Sequence, residues 1–259
     1  MDLQLRALGP DMFRSLELMS GIAHYSTSLA STGLWHCHII DYLYSSGHDL
    51  LSPVFQSLII SLIIQGAFDA VHIGLDCRSW TRLANPPYRS NQSLNGLPTL
   101  SNEKKYYVRQ QNALKHFALR VIKTCKDCKV KVVEATLEHG VTTMLWIHPD
   151  MEATMVDGEA IHVAYCRFGS KWKKNTKIWS LHGGLGALAR KCQCSMPHEV
   201  IKGAKKVKGK WVSRSSLSAS YPKRMCKVWA KFLTQKVIGN KRELKNHGVA
   251  LILKHSKNH

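Results

Sequence analysis

The chain has 259 residues, 44% of them hydrophobic, enough to bury the core of one α/β domain with additions or of two small domains. Its longest wholly apolar runs, near residues 58 to 68, are far too short to cross a bilayer, and no basic segment followed by an apolar one opens the chain, so a soluble, unsecreted protein is expected. The net charge of +20 is segregated: residues 1–164 carry 14 Lys and Arg against 15 Asp and Glu, residues 165–259 carry 23 against 2, and this points to a polyanionic partner, nucleic acid first. The plain alternative is a solvated basic face that serves solubility alone. Eight cysteines without framework spacing suit reduced thiols and an intracellular location, the nucleus in a eukaryote, the cytoplasm or nucleoid otherwise.

In chain order, "SLELMSG" (15–21) reads as a strand ending in a glycine turn, and "AHYSTSLASTG" as a helix stopped at Gly33. "LWHCHIID" (34–41) is a second strand ending on Asp41. "SPVFQSLIISLIIQG" opens with Ser52 as N-cap and Pro53 at the first helical position, and its nearly all-round apolar surface predicts a buried helix. "FDAVHIGL" is the third strand and leads into Cys77. Residues 81–102, with two consecutive prolines, form a long loop able to close over a substrate. A helix over "NEKKYYVRQQNALKHFALRVIKTC", a strand over "KVVEATLE", a short helix around "VTTMLW" and strands over "AIHVAYCRFG" and "TKIWSL" follow. Beyond Leu181 the chain turns Gly- and Lys-rich. "GAKKVKGKWVSR" is its least foldable stretch, and "YPKRMCKVWAKFLTQKV" supplies a last helix.

This alternation predicts a Rossmann-like, doubly wound, mostly parallel α/β sheet. The divisions expected are an N-terminal segment (1–14), the Rossmann-like domain (15–181), a basic target-binding region (182–220), a helix packing back on the domain (221–240) and a basic tail (241–259). In such sheets ligands bind beyond the carboxyl ends of the strands. There the sequence sets the "ELMSGIAH" turn, Asp41 in place to accept from ribose hydroxyls, Asp49 in place to take an adenine amino group, and Cys77.

At these residues the sequence resembles the DNA cytosine-5 methyltransferases, and more closely their compact relatives. "LELMSGIAHYSTSLASTG" is similar to the family's first motif, a strand followed by Phe-x-Gly-x-Gly, with Met19, Gly21 and Ala23 in those places. "HIGLDCRSW" is similar to the catalytic motif built around Pro-Cys. "LEHGVTTMLW" resembles the Glu-Asn-Pro motif and implies Glu138 as the catalytic acid, with Glu134 the less favoured choice. "YCRFGSKWKKNTKIWS" resembles the Tyr-Gly-x-Pro-Gln-x-Arg motif, with Lys174 for the arginine, and "SASYPKRMCKVWAKFL" the C-terminal segment that folds back against the cofactor site. The resemblance spans about residues 15 to 233, in family order.

The resemblance implies a cytosine-5 methyltransferase that uses S-adenosyl-L-methionine, with Cys77 as nucleophile, Glu138 as acid, Lys174 beside the pyrimidine oxygen, and Met19, Gly21, Ala23, Asp41 and Asp49 around the cofactor. Lys205, Lys206, Lys208, Lys210 and Arg214 would grip phosphates, of DNA first, and a monomer is expected. The sequence departs from the pattern at Asp76, where proline precedes the cysteine, at His139, where asparagine follows the glutamate, and at Ala23, where a second glycine stands. These residues divide an active enzyme from an inactive nucleic-acid-binding protein of the same fold.

The other cysteines take plain readings. "CKDC" (125–128) closes a helix as a thiol pair, and "KCQCSMPH" gathers Cys192, Cys194 and His198, with Cys166 available as a fourth ligand, in a spacing that matches no common zinc signature, so no metal is assigned. Trp172, Trp179, Trp211 and Trp229 lie among lysines, where core packing is the first expectation and base stacking the second.

Overall fold

A computed structural model describes residues 12–128, 132 and 134–255, of which 241–255 are described in backbone only. The first 11 residues, parts of the strand read over "KVVEATLE" and the tail's side chains lie outside the described residues.

The strands β1 (Phe13–Leu18), β2 (Trp35–Ile40), β3 (Ala70–Gly74), β4 (Glu134–Gly140), β5 (Glu159–Ala164) and β6 (Asn175–Ser180) form one sheet in the order β2-β1-β3-β4-β6-β5. The first four are parallel, and β6 runs antiparallel to both β4 and β5. The molecule is therefore mixed α/β with a mostly parallel six-stranded sheet, compatible with a Rossmann-like arrangement. The chain leaves β1 toward β2 and returns across it to β3, so the strand order reverses between β1 and β3, and a crevice opens at their carboxyl ends.

Helices cover both faces. Alternate residues of β1 point opposite ways: Leu16 and Leu18 join a core with α2 (Pro53–Ile64) and α3 (Asn102–Asp127), while Phe13 packs with α1 (His24–Ala30) and α6 (Lys223–His255). Capping sets the starts. Ser52 accepts the Phe55 N–H ahead of Pro53, as predicted, and Ser101 accepts the Lys104 N–H at the head of α3. On α6, Met225, Cys226, Trp229 and Leu233 are buried against the sheet.

Three expectations are corrected. α2 is half exposed, with Val54 81% accessible and Leu58 and Ile64 also open, because the sheet and α3 cover only one side of it. Residues 141–146 form turns rather than a helix. Trp146 Nε1–H donates to the Gly140 carbonyl at 2.8 Å, and helix α4 (Pro149–Met155) begins only where His148 accepts the Asp150 N–H ahead of Pro149. The stretch read as least foldable is a hairpin of β7 (Ala204–Val207) and β8 (Lys210–Ser213) followed by the short helix α5 (Arg214–Leu217). Lys208 and Gly209 both hold positive φ, 46° and 81°, the requirement of a two-residue type I′ turn.

Candidate active site

The crevice at the strand ends is lined by residues from distant parts of the chain. Met19, Gly21, Asp76, Cys77, Glu138, Lys174 and Tyr221 share its central part. On one side it continues through Met19, Gly74 and Asp76 into a hollow of 660 Å³ with Asp41, Tyr42, Leu43, Asp49 and Leu50 in its walls. On the other it continues through Cys77, Gly140 and Lys174 into a cavity of 480 Å³ walled by Thr81, Leu83 and Thr143, by residues 201–203 and by Ser213, Ser215 and Ser218. Cavities of this size suit small ligands. Seven of the predicted site residues thus meet in one cleft: Met19, Gly21, Asp41, Asp49, Cys77, Glu138 and Lys174.

The turn after β1 is unusual in its backbone. Met19, Gly21 and Ala23 take φ of 56°, 53° and 52°, so two residues with side chains occupy left-handed conformations, each at a cost of about 1–2 kcal/mol. Ala23 is buried as the N-cap of α1 and does not reach the cleft. Asp41 locks the turn: its Oδ2 accepts the Gly21 N–H and its Oδ1 the Leu43 N–H, both at 2.9 Å. Asp49 Oδ1 accepts the Leu51 N–H at 2.9 Å. Each carboxylate oxygen keeps a lone pair for a further donor.

Cys77 follows β3 and lines both the central cleft and the 480 Å³ side cavity. Burial pushes its thiol up from the ordinary value, Lys174 pulls it down, and Asp76 and Glu138 push it further up. The Asp76 charge is largely spent elsewhere. Arg78 pairs with it at 2.7 Å and Tyr107 donates to it at 2.9 Å, which together hold its carboxyl below the ordinary value despite burial.

Glu138, near the carboxyl end of β4, is enclosed by donors. Tyr165 Oη–H donates to Oε1 at 3.1 Å, the Thr176 hydroxyl donates to the same oxygen, and Tyr221 Oη–H donates to Oε2 at 3.1 Å. Lys174 Nζ stands 4.0 Å away. Burial alone would raise this carboxyl, but the Lys174 charge and the Thr176 hydroxyl outweigh it and hold the group below its ordinary value, hence ionised at neutral pH. Glu134, the less favoured acid, sits at the opposite end of β4 and is engaged by Lys236 and Ser180.

Several site residues escape sequence reading. His72 Nδ1 lies 2.9 Å from Thr136 Oγ1 and Nε2 lies 3.0 Å from Tyr221 Oη. Because Tyr221 donates to Glu138, it accepts from His72 Nε2–H, and Nδ1 accepts from Thr136. Burial keeps that ring neutral by lowering its pKa to about 4. His24 Nδ1–H donates to the Tyr221 carbonyl at 2.7 Å, and Gly74 leaves room for the Tyr221 hydroxyl, which would stand 2.9 Å from a Cβ there. Only Tyr221 carries a signal in the sequence, its place in the C-terminal segment expected to fold back.

The remaining predictions separate. Lys205, Lys206, Lys208 and Lys210 are exposed on the β7–β8 hairpin, while Arg214 is tied down by the Ala204 and Val200 carbonyls. Trp172, Trp179 and Trp229 are buried, but Trp211 is 74% exposed and directly opposite Lys206. The 81–102 loop contributes Thr81, Leu83 and Ala84 to the cavity, and beyond them it is fixed rather than free: the Arg89 guanidinium stacks 3.5 Å over Trp80 and donates to Ser79, Leu94 and Asn112. His139 is buried, its Nδ1 2.6 Å from Thr143 Oγ1. No helix among the described residues is long and apolar enough to cross a membrane. No protein-family model and no curated protein matches the chain.

Proposed function

We propose that the chain is a cytosine-5 methyltransferase-like protein that acts on DNA and uses S-adenosyl-L-methionine. The observation that carries this reading is the convergence of Cys77, Glu138 and Lys174, far apart in sequence, on one cleft that runs on to Asp41 and Asp49. The hollow beside β1 and β2 fits a nucleoside: carboxylates to accept from hydroxyl and amino groups, and Met19, Leu43, Leu50 and Leu51 to cover an apolar ring. The cofactor would supply a methyl group carried on a sulfonium.

In this reading the Cys77 thiolate adds to carbon 6 of a cytosine held in the 480 Å³ cavity, which moves an electron pair toward carbon 5. Once carbon 5 carries the methyl group, its proton passes to solvent, the electron pair of that bond restores the 5,6 double bond, and the Cys77 Sγ–carbon 6 bond breaks to free the thiolate. Lys174 stabilises charge developing at the base. Glu138, held ionised, acts as an acceptor for the base's N–H groups, so a proton on ring nitrogen 3 must come from solvent or be shared in the transition state rather than reside on Glu138 beforehand. A stacked base hides carbon 6, so the target is flipped out or single-stranded. The Lys-rich hairpin with exposed Trp211 beside the cavity offers phosphate contacts and a stacking surface.

A second reading, a nucleic-acid-binding protein that keeps the scaffold without the chemistry, is favoured by the upward displacement of the Cys77 thiol by burial. An oligonucleotide carrying 5-fluorocytosine separates the two. With S-adenosyl-L-methionine present the enzyme forms a covalent adduct that Cys77→Ser abolishes, since fluorine blocks release. Absence of any adduct on duplex or single strand, with cofactor binding shown by calorimetry, removes methyl transfer and leaves the second reading. If calorimetry detects no cofactor, the hollow at Asp41 and Asp49 has been misassigned.

A further inference from the structure

Between Leu188 and Ser218 no described side chain is buried, so this stretch has no apolar core of its own. It nevertheless supplies a wall of the Cys77 cavity through Ile201, Lys202 and Gly203. The local ties are few. Arg190 and Glu199 make single backbone bridges to Val163 and Trp172, and Glu199 pairs with Lys171 at 2.8 Å and Lys205 at 3.7 Å. Exposed pairs of this kind contribute about 0–1 kcal/mol each.

Near the start of the stretch, Cys192, Cys194 and His198 meet Cys166, which stands in the 3-10 turn Tyr165–Phe168 after β5. The four ligand atoms all lie within 4.8 Å of one another, and Cys192 Sγ is 3.7 Å from His198 Nε2. Zinc bonds of about 2.3 Å to sulfur and 2.0–2.1 Å to nitrogen place tetrahedral ligand atoms about 3.6–3.8 Å apart, so small rotations close the cluster on an ion.

We propose that Cys166, Cys192, Cys194 and His198 bind one zinc ion, which staples the 189–203 strap and the hairpin behind it to the end of the sheet. Three thiolates and an imidazole are soft donors that select zinc over magnesium or calcium, and four protein ligands leave no open position, so the ion is structural. Binding releases the thiol protons to solvent, and the three thiolates with Zn²⁺ leave one net negative charge. Lys173, Arg190 and Lys191, which line the same hollow as Cys192, offset it. All cysteines are unpaired, and an odd set of three could not be satisfied by one disulfide. The site is independent of whether the chain transfers methyl groups, because none of its ligands lines the cleft at Cys77.

The test uses the full chain purified under reducing conditions without chelator. Elemental analysis is expected to find about one zinc per chain, and replacement by Co²⁺ to give the intense visible bands of a tetrahedral thiolate site. The double variant Cys192→Ser, Cys194→Ser should lose the metal, Cys128→Ser should keep it, and zinc removal should speed proteolysis between residues 189 and 203 at least severalfold. Under about 0.2 equivalents after reconstitution with Zn²⁺, an octahedral cobalt spectrum, or a disulfide among the three cysteines that survives reductant would overturn the proposal. If the double variant fails to fold, the cobalt spectrum of the natural chain decides.

Discussion

The Tyr221 hydroxyl donates to Glu138 Oε2 at 3.1 Å, joining a residue just before α6 to the carboxyl end of β4. With His72 and Thr136 behind it, this makes a one-way chain of hydrogen bonds, Thr136 to His72 to Tyr221 to Glu138, running through the sheet to the cleft. Removing the terminal donor leaves a buried charge short of a partner, which costs about 1–3 kcal/mol. Tyr221→Phe should therefore lower stability by that order in chemical denaturation. Its pH dependence carries a sign. The stability contributed by Glu138 is complete above its ordinary value of 4.5 and is lost as the pH falls through the lower folded value. Tyr221→Phe raises that folded value, so the acid unfolding midpoint should move to higher pH; an unmoved midpoint would show that Tyr221 does not support the ionised form.

Glu17 behaves in the opposite sense. Buried beneath the start of α1, it accepts the Ser26 N–H at 3.0 Å through Oε2 while Oε1 has no partner, and burial raises its pKa from 4.5 to about 7. The folded state holds this proton more tightly than the unfolded one, so stability falls as the pH rises from about 4.5 to 7, by about 3 kcal/mol at most. Glu17→Gln should stabilise the protein at pH 8 relative to the natural chain, and the difference should shrink toward pH 5. Equal differences at the two pH values would mean that Glu17 does not titrate in this window.

The thiol of Cys77 is set by opposing neighbours, and two substitutions should move it in opposite directions. Lys174→Met removes the charge that favours the thiolate and should slow alkylation by iodoacetamide at neutral pH. Asp76→Asn removes an opposing charge and frees Arg78, and should speed it, by up to about tenfold for each unit by which the thiol pKa falls. Rates that move together would refute the electrostatic assignment. Asp76→Pro is a poorer probe, since it also strips Tyr107 and Arg78 of their acceptor.

Nucleic-acid affinity should reside in the hairpin. Cutting the chain near residue 190 would remove Trp229 and Leu233 from the core, so charge removal in place is the cleaner test. Replacing Lys205, Lys206, Lys208 and Lys210 by Ser should reduce the log–log salt slope by about 0.9 for each phosphate that is no longer neutralised. Trp211→Ala should weaken single-strand binding by about 1–3 kcal/mol with the slope unchanged. A natural slope in the quadruple variant would place the phosphate-binding residues elsewhere on the basic half.

The alternation of strands and helices, the caps at Ser52 and Pro53, and the positions of Asp41 and Cys77 at strand ends are all legible in the amino-acid sequence. Those features rest on periodicity and capping within single elements, where neighbours in sequence are neighbours in space. Where one element meets another, sequence spacing is silent. α2 is apolar nearly all round, yet only one side meets the sheet and α3. The hairpin reads as the least foldable stretch because its lysines hide a turn defined by backbone sign at Lys208 and Gly209. Glu138 can be picked out, but not its ionised state, because Tyr165, Thr176 and Tyr221 reach it only through strand register and the return of the chain into α6. Cys166 joins the Cys192, Cys194 and His198 cluster for the same reason: the turn after β5 and the strap are brought together by the sheet edge, and no local pattern records that approach.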